Sequence, residues 1–275
     1  MLIIDSTKWR NAWLWSGSIP YLVVLTITLW GGARLHRDVG LMAFVGPTEL
    51  RSVPWGDLLM IHAQPPPGFS ALLKFADAFG RHSEAILLTV LISAAVAGIW
   101  MTSDITYRLT GQVHWGVMVG LFAGAAPGTT FYSLWVFYTI PTAFLLTASV
   151  WGMVRAAHSG SVVALTTSVV AISVVALVRA SVLWILVLIW LAVNGRIIRD
   201  VLRQANSAKA IPSLVIALTA LGGLAVVQSH AFATFKSITL SSWGSENIAK
   251  ALRTTMSEDE VLSLAGDDSC LLAVI

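Results

Sequence analysis

Long stretches of this chain carry no Asp, Glu, Lys or Arg, among them residues 11–33, 85–103, 109–154, 156–178, 180–195 and 210–235. A helix that crosses a bilayer needs about 20 mostly apolar residues. The third stretch, 46 residues long, has room for two. Charged residues make up 11% of the chain and hydrophobic ones 56%, whereas about 25% of a soluble domain is charged. So little charge leaves a soluble globule without a polar coat, and so much apolar content excludes disorder. Cys270 is the single cysteine, which removes an internal disulfide framework and any cysteine-based zinc cluster. The expected fold class is all-α, a polytopic membrane helical bundle.

Proline sets the breaks inside the longest stretch, at Ala126-Pro127-Gly128 and at Ile140-Pro141, because it removes a backbone donor and disfavours helix before it. About seven spans follow, at 12–33, 85–102, 113–127, 137–155, 161–178, 182–195 and 211–228. The sixth is short. Its 16-residue uncharged run makes about 24 Å of helix against a hydrocarbon core of about 30 Å.

Orientation follows from the loops. With the N-terminus in the cytoplasm, that side holds Lys8, Arg10, Arg108, Arg155, Arg196, Arg199, Arg203 and Lys209, which is 8 of the 17 basic residues in short loops. The other 9 are spread over a much longer outer sequence. Trp13, Trp15, Trp30, Trp100, Trp115, Trp135, Trp151 and Trp184 fall near span ends, where an aromatic belt forms. The expected localisation is a multi-pass plasma-membrane protein with its N-terminus cytoplasmic and its C-terminus outside. Residues 1–228 form the transmembrane domain, including an outer loop at 34–84, and residues 229–275 form an outer tail. The net charge of +3 reflects this loop bias, and no nucleic-acid partner is expected.

The long first loop carries the polar content. Phe69, Leu72, Leu73, Ala76 and Phe79 repeat at helical spacing, with Ser70, Lys74 and Asp77 between them. This pattern predicts an amphipathic interfacial helix over 68–79. The preceding Pro65-Pro-Pro67 fixes an extended segment that presents Asp57, His62 and Gln64 beside the membrane. Arg179 is the only charge between 156 and 195. A lone ionisable residue in so apolar a setting is costly and marks function by default, the alternative being a turn residue that reaches to headgroups. No P-loop, dinucleotide fingerprint, zinc-protease or nucleophile-elbow motif is present, and no inverted repeat of the transporter kind.

Three separated patches resemble bacterial GT-C class membrane glycosyltransferases, the group of protein mannosyltransferases and the lipid A aminoarabinose transferase. They are His62-Ala-Gln-Pro-Pro-Pro67 ahead of an amphipathic helix, Phe131 to Thr142 after Ala126-Pro127, and Leu177 to Trp184 together with Ser241 to Ala249. Pro47-Thr-Glu-Leu-Arg51 is similar to the Pro-Asp-Glu-x-Arg stretch of the aminoarabinose transferases, with Thr48 in place of their Asp.

The resemblance implies transfer of a sugar from a polyprenyl-phosphate donor to a cell-envelope acceptor on the outer face. It implies that one of Glu49, Asp57 and Asp38 takes the acceptor proton, since an attacking hydroxyl needs a base. Arg179, His62 and Lys236 are the candidates for the donor phosphate, whose departing charge needs cationic stabilisation. Gln64, Tyr138, Ser242 and Trp243 are the candidates for sugar or acceptor contact. For each, the alternative is an ordinary loop, belt or capping residue. The partners implied are the polyprenyl-phosphate-linked sugar, the lipid bilayer and the acceptor. No organic cofactor or metal site is implied, although a divalent cation is compatible with the chemistry. Members of this group are usually longer, which points to a chain truncated at its C-terminus. A non-catalytic membrane subunit or scaffold of the same fold is the second reading, and a small transporter the third.

Overall fold

A computed structural model describes residues 11, 13–35, 52–60, 67–135, 138–179, 184–205 and 207–235. Within them the chain is helical, and no strand occurs among the described residues. A 3-10 turn at Ser16–Ser18 leads into α1 (Ile19–Trp30). Then come α2 (Trp55–Met60), α3 (Pro67–Asp77), α4 (Ser83–Thr110), α5 (Val113–Ala125), α6 (Pro127–Leu134) and α7 (Thr139–Ser159). The chain continues through α8 (Val162–Val178), α9 (Trp184–Val193), α10 (Gly195–Gln204) and α11 (Ser207–Phe235).

Four helical stretches are long and apolar enough to cross a membrane: Trp13–Trp30, Gly80–Thr110, Thr139–Ser159 and Ala210–Thr234. The pair α5 and α6, bent by 51° at Ala126, makes a fifth if taken as one broken span. The bend falls at Ala126, whose backbone is extended (ψ 120°), as the clash with the following Pro127 ring favours. α8 and α9 are shorter apolar helices. Large apolar side chains face outward along these elements, among them Ile27, Phe122, Val193 and Ile211. In water they would form a continuous apolar surface, and a bilayer covers such a surface.

The helices pack in the sequence α1, α5, α4, α7, α8, α11, each against the next, with α9 and α10 beside α8. Small residues bring the backbones together. A Cβ on Gly120 would lie 2.2 Å from Ser103 Oγ, and one on Gly152 would lie 2.6 Å from the Ala164 carbonyl oxygen. Hydrocarbon gives helices no reason to seek one another, so close backbone approach of this kind supplies the packing energy. Between α1 and α6, the Tyr21 hydroxyl donates to Ser133 Oγ at 2.9 Å. Gly111 and Gly160 end α4 and α7 in the left-handed region (φ +71° and +62°), and each turns the chain directly into the next helix. α10 is strongly amphipathic. Val201 is buried with Ile197 and Ile198 packed beside it, while Arg196, Arg199 and Arg203 are exposed.

Two expectations about local structure change. The second span does not stop at residue 102, because α4 runs on to Thr110 and carries Asp104 and Arg108 as helical residues. The 68–79 helix forms as α3, yet its polar stripe does not face water. Ser70, Lys74 and Asp77 are buried, as are Phe69 and Ala76. The physical reason is that α3 is covered on several sides, by α4, α8 and α2.

Candidate functional site

Arg179 ends α8. Its N–H donates to the Val175 carbonyl at 2.9 Å, and its own backbone is already extended, with φ −131°. The uncharged run therefore stops being helical at its single charge, which leaves the guanidinium at the end of the helix. Tyr138 stands just ahead of α7 as its N-cap residue. The guanidinium carbon lies 5.5 Å from the Tyr138 ring centroid, within the range where a ring face attracts a cation.

The start of α3 closes the same corner. Phe69 is 1% exposed and meets the Tyr138 ring edge-on at 6.1 Å. A Cβ on Gly68 would lie 2.9 Å from the Leu177 carbonyl carbon, so only glycine lets the first turn of α3 rest on the last turn of α8. Burial pushes the Tyr138 phenol above its ordinary value, and the Arg179 charge partly offsets this. Desolvation disfavours the phenolate, while a neighbouring cation favours it.

α2 is tied to this corner through α3. The Lys74 ammonium donates to the Val53 carbonyl oxygen and lies 5.4 Å from the Trp55 ring centroid. Asp57 stands in the first turn of α2 and is exposed. α2 also touches α11.

Of the candidate residues named from sequence, Arg179 and Tyr138 meet, and Asp57 is carried on the helix held against α3. Glu49, Asp38, His62, Gln64, Lys236, Ser242 and Trp243 lie outside the described residues. What the corner can do chemically is bind an anion. A guanidinium presents a planar fork of donors to two oxygens at once and stays charged at any relevant pH.

Sequence reasoning passed over Lys74 and Asp77, which the stripe pattern assigned to the water side. It also passed over a second polar cluster, in the later halves of α4 and α7. There Asp104 is buried, accepts the Trp151 indole N–H at 2.8 Å and pairs with Arg108 at 2.7 Å. Trp100 lies between Trp15 and Trp151, with centroids 5.3 and 5.6 Å away, and Arg155 stands 5.0 Å over Trp151. The available signal was the four-residue spacing of Asp104 and Arg108, which marks one helix face. Tyr138 and Trp151 are 13 positions apart along the chain, about 20 Å of helix, so the two clusters lie towards opposite ends of α7.

No family model, curated protein or solved structure matches the chain.

Proposed function

We propose that the protein is a membrane glycosyltransferase that moves a sugar from a polyprenyl-phosphate donor to a cell-envelope acceptor on the outer face of the plasma membrane. The observation that supports this reading is the meeting of three sequence-distant patches. The turn after the proline run (Gly68, Phe69), the stretch before α7 (Tyr138) and the end of α8 (Arg179) form one corner. A lipid-linked phosphate needs a cation at headgroup depth, and the corner offers one at the end of an apolar helix.

In this reading α8 and α9 also cross the bilayer, for seven membrane segments in all, with the N-terminus inside and the Arg179 corner outside. Arg179 holds the donor phosphate while its bond to the sugar breaks, with His62 and Lys236 near the headgroup. Tyr138, Gln64, Ser242 and Trp243 contact sugar or acceptor. Glu49, Asp57 or Asp38 takes the acceptor hydroxyl proton as its oxygen attacks the sugar carbon.

The test is transfer of a labelled sugar from a polyprenyl-phosphate donor by the protein in vesicles. Arg179→Gln should lower turnover about 10²–10³-fold, as loss of one charge-stabilising donor does. Arg179→Lys, which keeps the charge and loses the fork, should fall between. Of the three acid-to-amide variants, one should lose about 10²–10⁴-fold. Transfer unchanged in Arg179→Gln would leave the second reading, a non-catalytic membrane subunit or scaffold of the same fold.

A further inference from the structure

A cleft of about 660 Å³ opens between α1 and α6, lined by Val24, Thr130, Phe131, Leu134 and Trp135 with Arg34 among them. It lies beside the 51° bend between α5 and α6, with Pro127 in its lining. Arg34 is the only charged residue of its lining. Its guanidinium is exposed and donates to the neighbouring Ala33 carbonyl at 3.2 Å, and it has no acidic partner among the described residues. Thr130 also lines the cleft. Only 6% of it is exposed, and its hydroxyl makes no hydrogen bond among the described residues. The hydroxyl oxygen is itself buried, so it is an unmet donor beside the cleft that reaches a ligand oxygen by a turn about χ1.

We propose that this cleft holds one acyl chain of an anionic glycerophospholipid, with the lipid phosphate on Arg34 and an ester oxygen on Thr130. Size selects the chain. An apolar cavity of about 150 Å³ accepts a benzene ring, so 660 Å³ takes roughly four times as many carbons, the content of one long acyl chain. A polyprenyl chain is several times longer and overfills it. Charge selects the headgroup, because one arginine with no acid beside it among the described residues complements a phosphate and offers nothing to the ammonium of a zwitterionic lipid. The site does not depend on transfer chemistry.

The full-length protein, purified in mild detergent, is titrated with phosphatidylglycerol, phosphatidylethanolamine or a polyprenyl phosphate, and bound lipid is counted by native mass spectrometry. The polyprenyl phosphate should take its own seat at the Arg179 corner, whereas one phosphatidylglycerol should bind in the cleft, more tightly than phosphatidylethanolamine does. Arg34→Ala should weaken it about tenfold or more, the usual worth of a hydrogen bond to a charged group, and Arg34→Lys less. Thr130→Val should weaken it several-fold, and Val24→Trp, which fills the cleft, should abolish it. Arg34 and Val24 are solvent- or lipid-facing, so these variants should keep the thermal midpoint of the parent. Equal binding of both phospholipids, unchanged binding in Arg34→Ala or Val24→Trp, or displacement of phosphatidylglycerol by the polyprenyl phosphate would each overturn the proposal.

Discussion

Trp151 donates its indole N–H to the same Asp104 oxygen that accepts from Arg108, at 2.8 and 2.7 Å. One buried carboxylate thereby joins α7 to α4 and neutralises an arginine of its own helix. Asp104→Leu should destabilise the protein by about 2–4 kcal/mol, somewhat below the about 3–5 typical of a fully buried pair. Arg108 retains 21% exposure and keeps some solvation. Asp104→Asn keeps an acceptor for Trp151 and should cost less. Thermal unfolding in detergent would rank the two, and equal midpoints would show that the carboxylate holds nothing together.

Glycines at helix crossings should separate sharply from glycines that face open space. Gly120→Ala forces a carbon to 2.2 Å from Ser103 Oγ and should destabilise by about 1–3 kcal/mol through overpacking. Gly222→Ala meets nothing within 4 Å and should be neutral or stabilising by up to about 1 kcal/mol, the helix-propensity difference. The same unfolding measurement serves both.

Alkaline pH should weaken the Tyr138 corner. Burial raises the phenol of this residue, which stands just before the span, above its ordinary value of 10.0. The folded state then holds its proton longer than the unfolded state does. The stability contribution is complete below the unfolded value and is lost as pH rises through the raised folded value. Above about pH 10 the wild type should lose stability more steeply than Tyr138→Phe. Arg179→Gln removes the charge that pulls the phenol down, so it should steepen the loss further. Thermal midpoints across the alkaline range would read both effects.

Cysteine labelling should report opposite sides for two exposed positions. Glu84→Cys sits at the start of α4 and Arg199→Cys on α10. In a Cys270→Ser background, which removes the one native thiol, an impermeant thiol reagent applied to intact cells should label Glu84→Cys and leave Arg199→Cys until the cells are opened. The reverse pattern would invert the topology.

The apolar helices were legible because a bilayer imposes its thickness on the sequence as uncharged runs, and α7 and α8 begin within two residues of the expected span starts at 137 and 161. The true length of α4 was hidden for the same reason. Asp104 and Arg108 interrupt the uncharged run, yet they satisfy each other one turn apart and the helix continues through them. Arg179 stood out as a lone charge, whereas Tyr138, 179 − 138 = 41 residues earlier, gave no sign of being its neighbour. For α3 the pattern showed two chemically different faces but carried no information on what covers each. Burial of Lys74 and Asp77 depends on Val53 and Trp55 and on α8, none of which periodicity can see.

The contact of Gly68 with Leu177 also sets a clock. The two residues are 177 − 68 = 109 positions apart, and a ribosome adding about 5–20 residues per second takes roughly 5–20 s to bridge them. Throughout that interval α3 exists without the surface it finally rests on, and Tyr138 is made before the cation that will sit over it. The corner is therefore assembled last-to-first. The final turn of α8 completes a seat for a segment that left the ribosome seconds earlier, and any premature stop before residue 179 yields a chain that lacks the Arg179–Tyr138 contact.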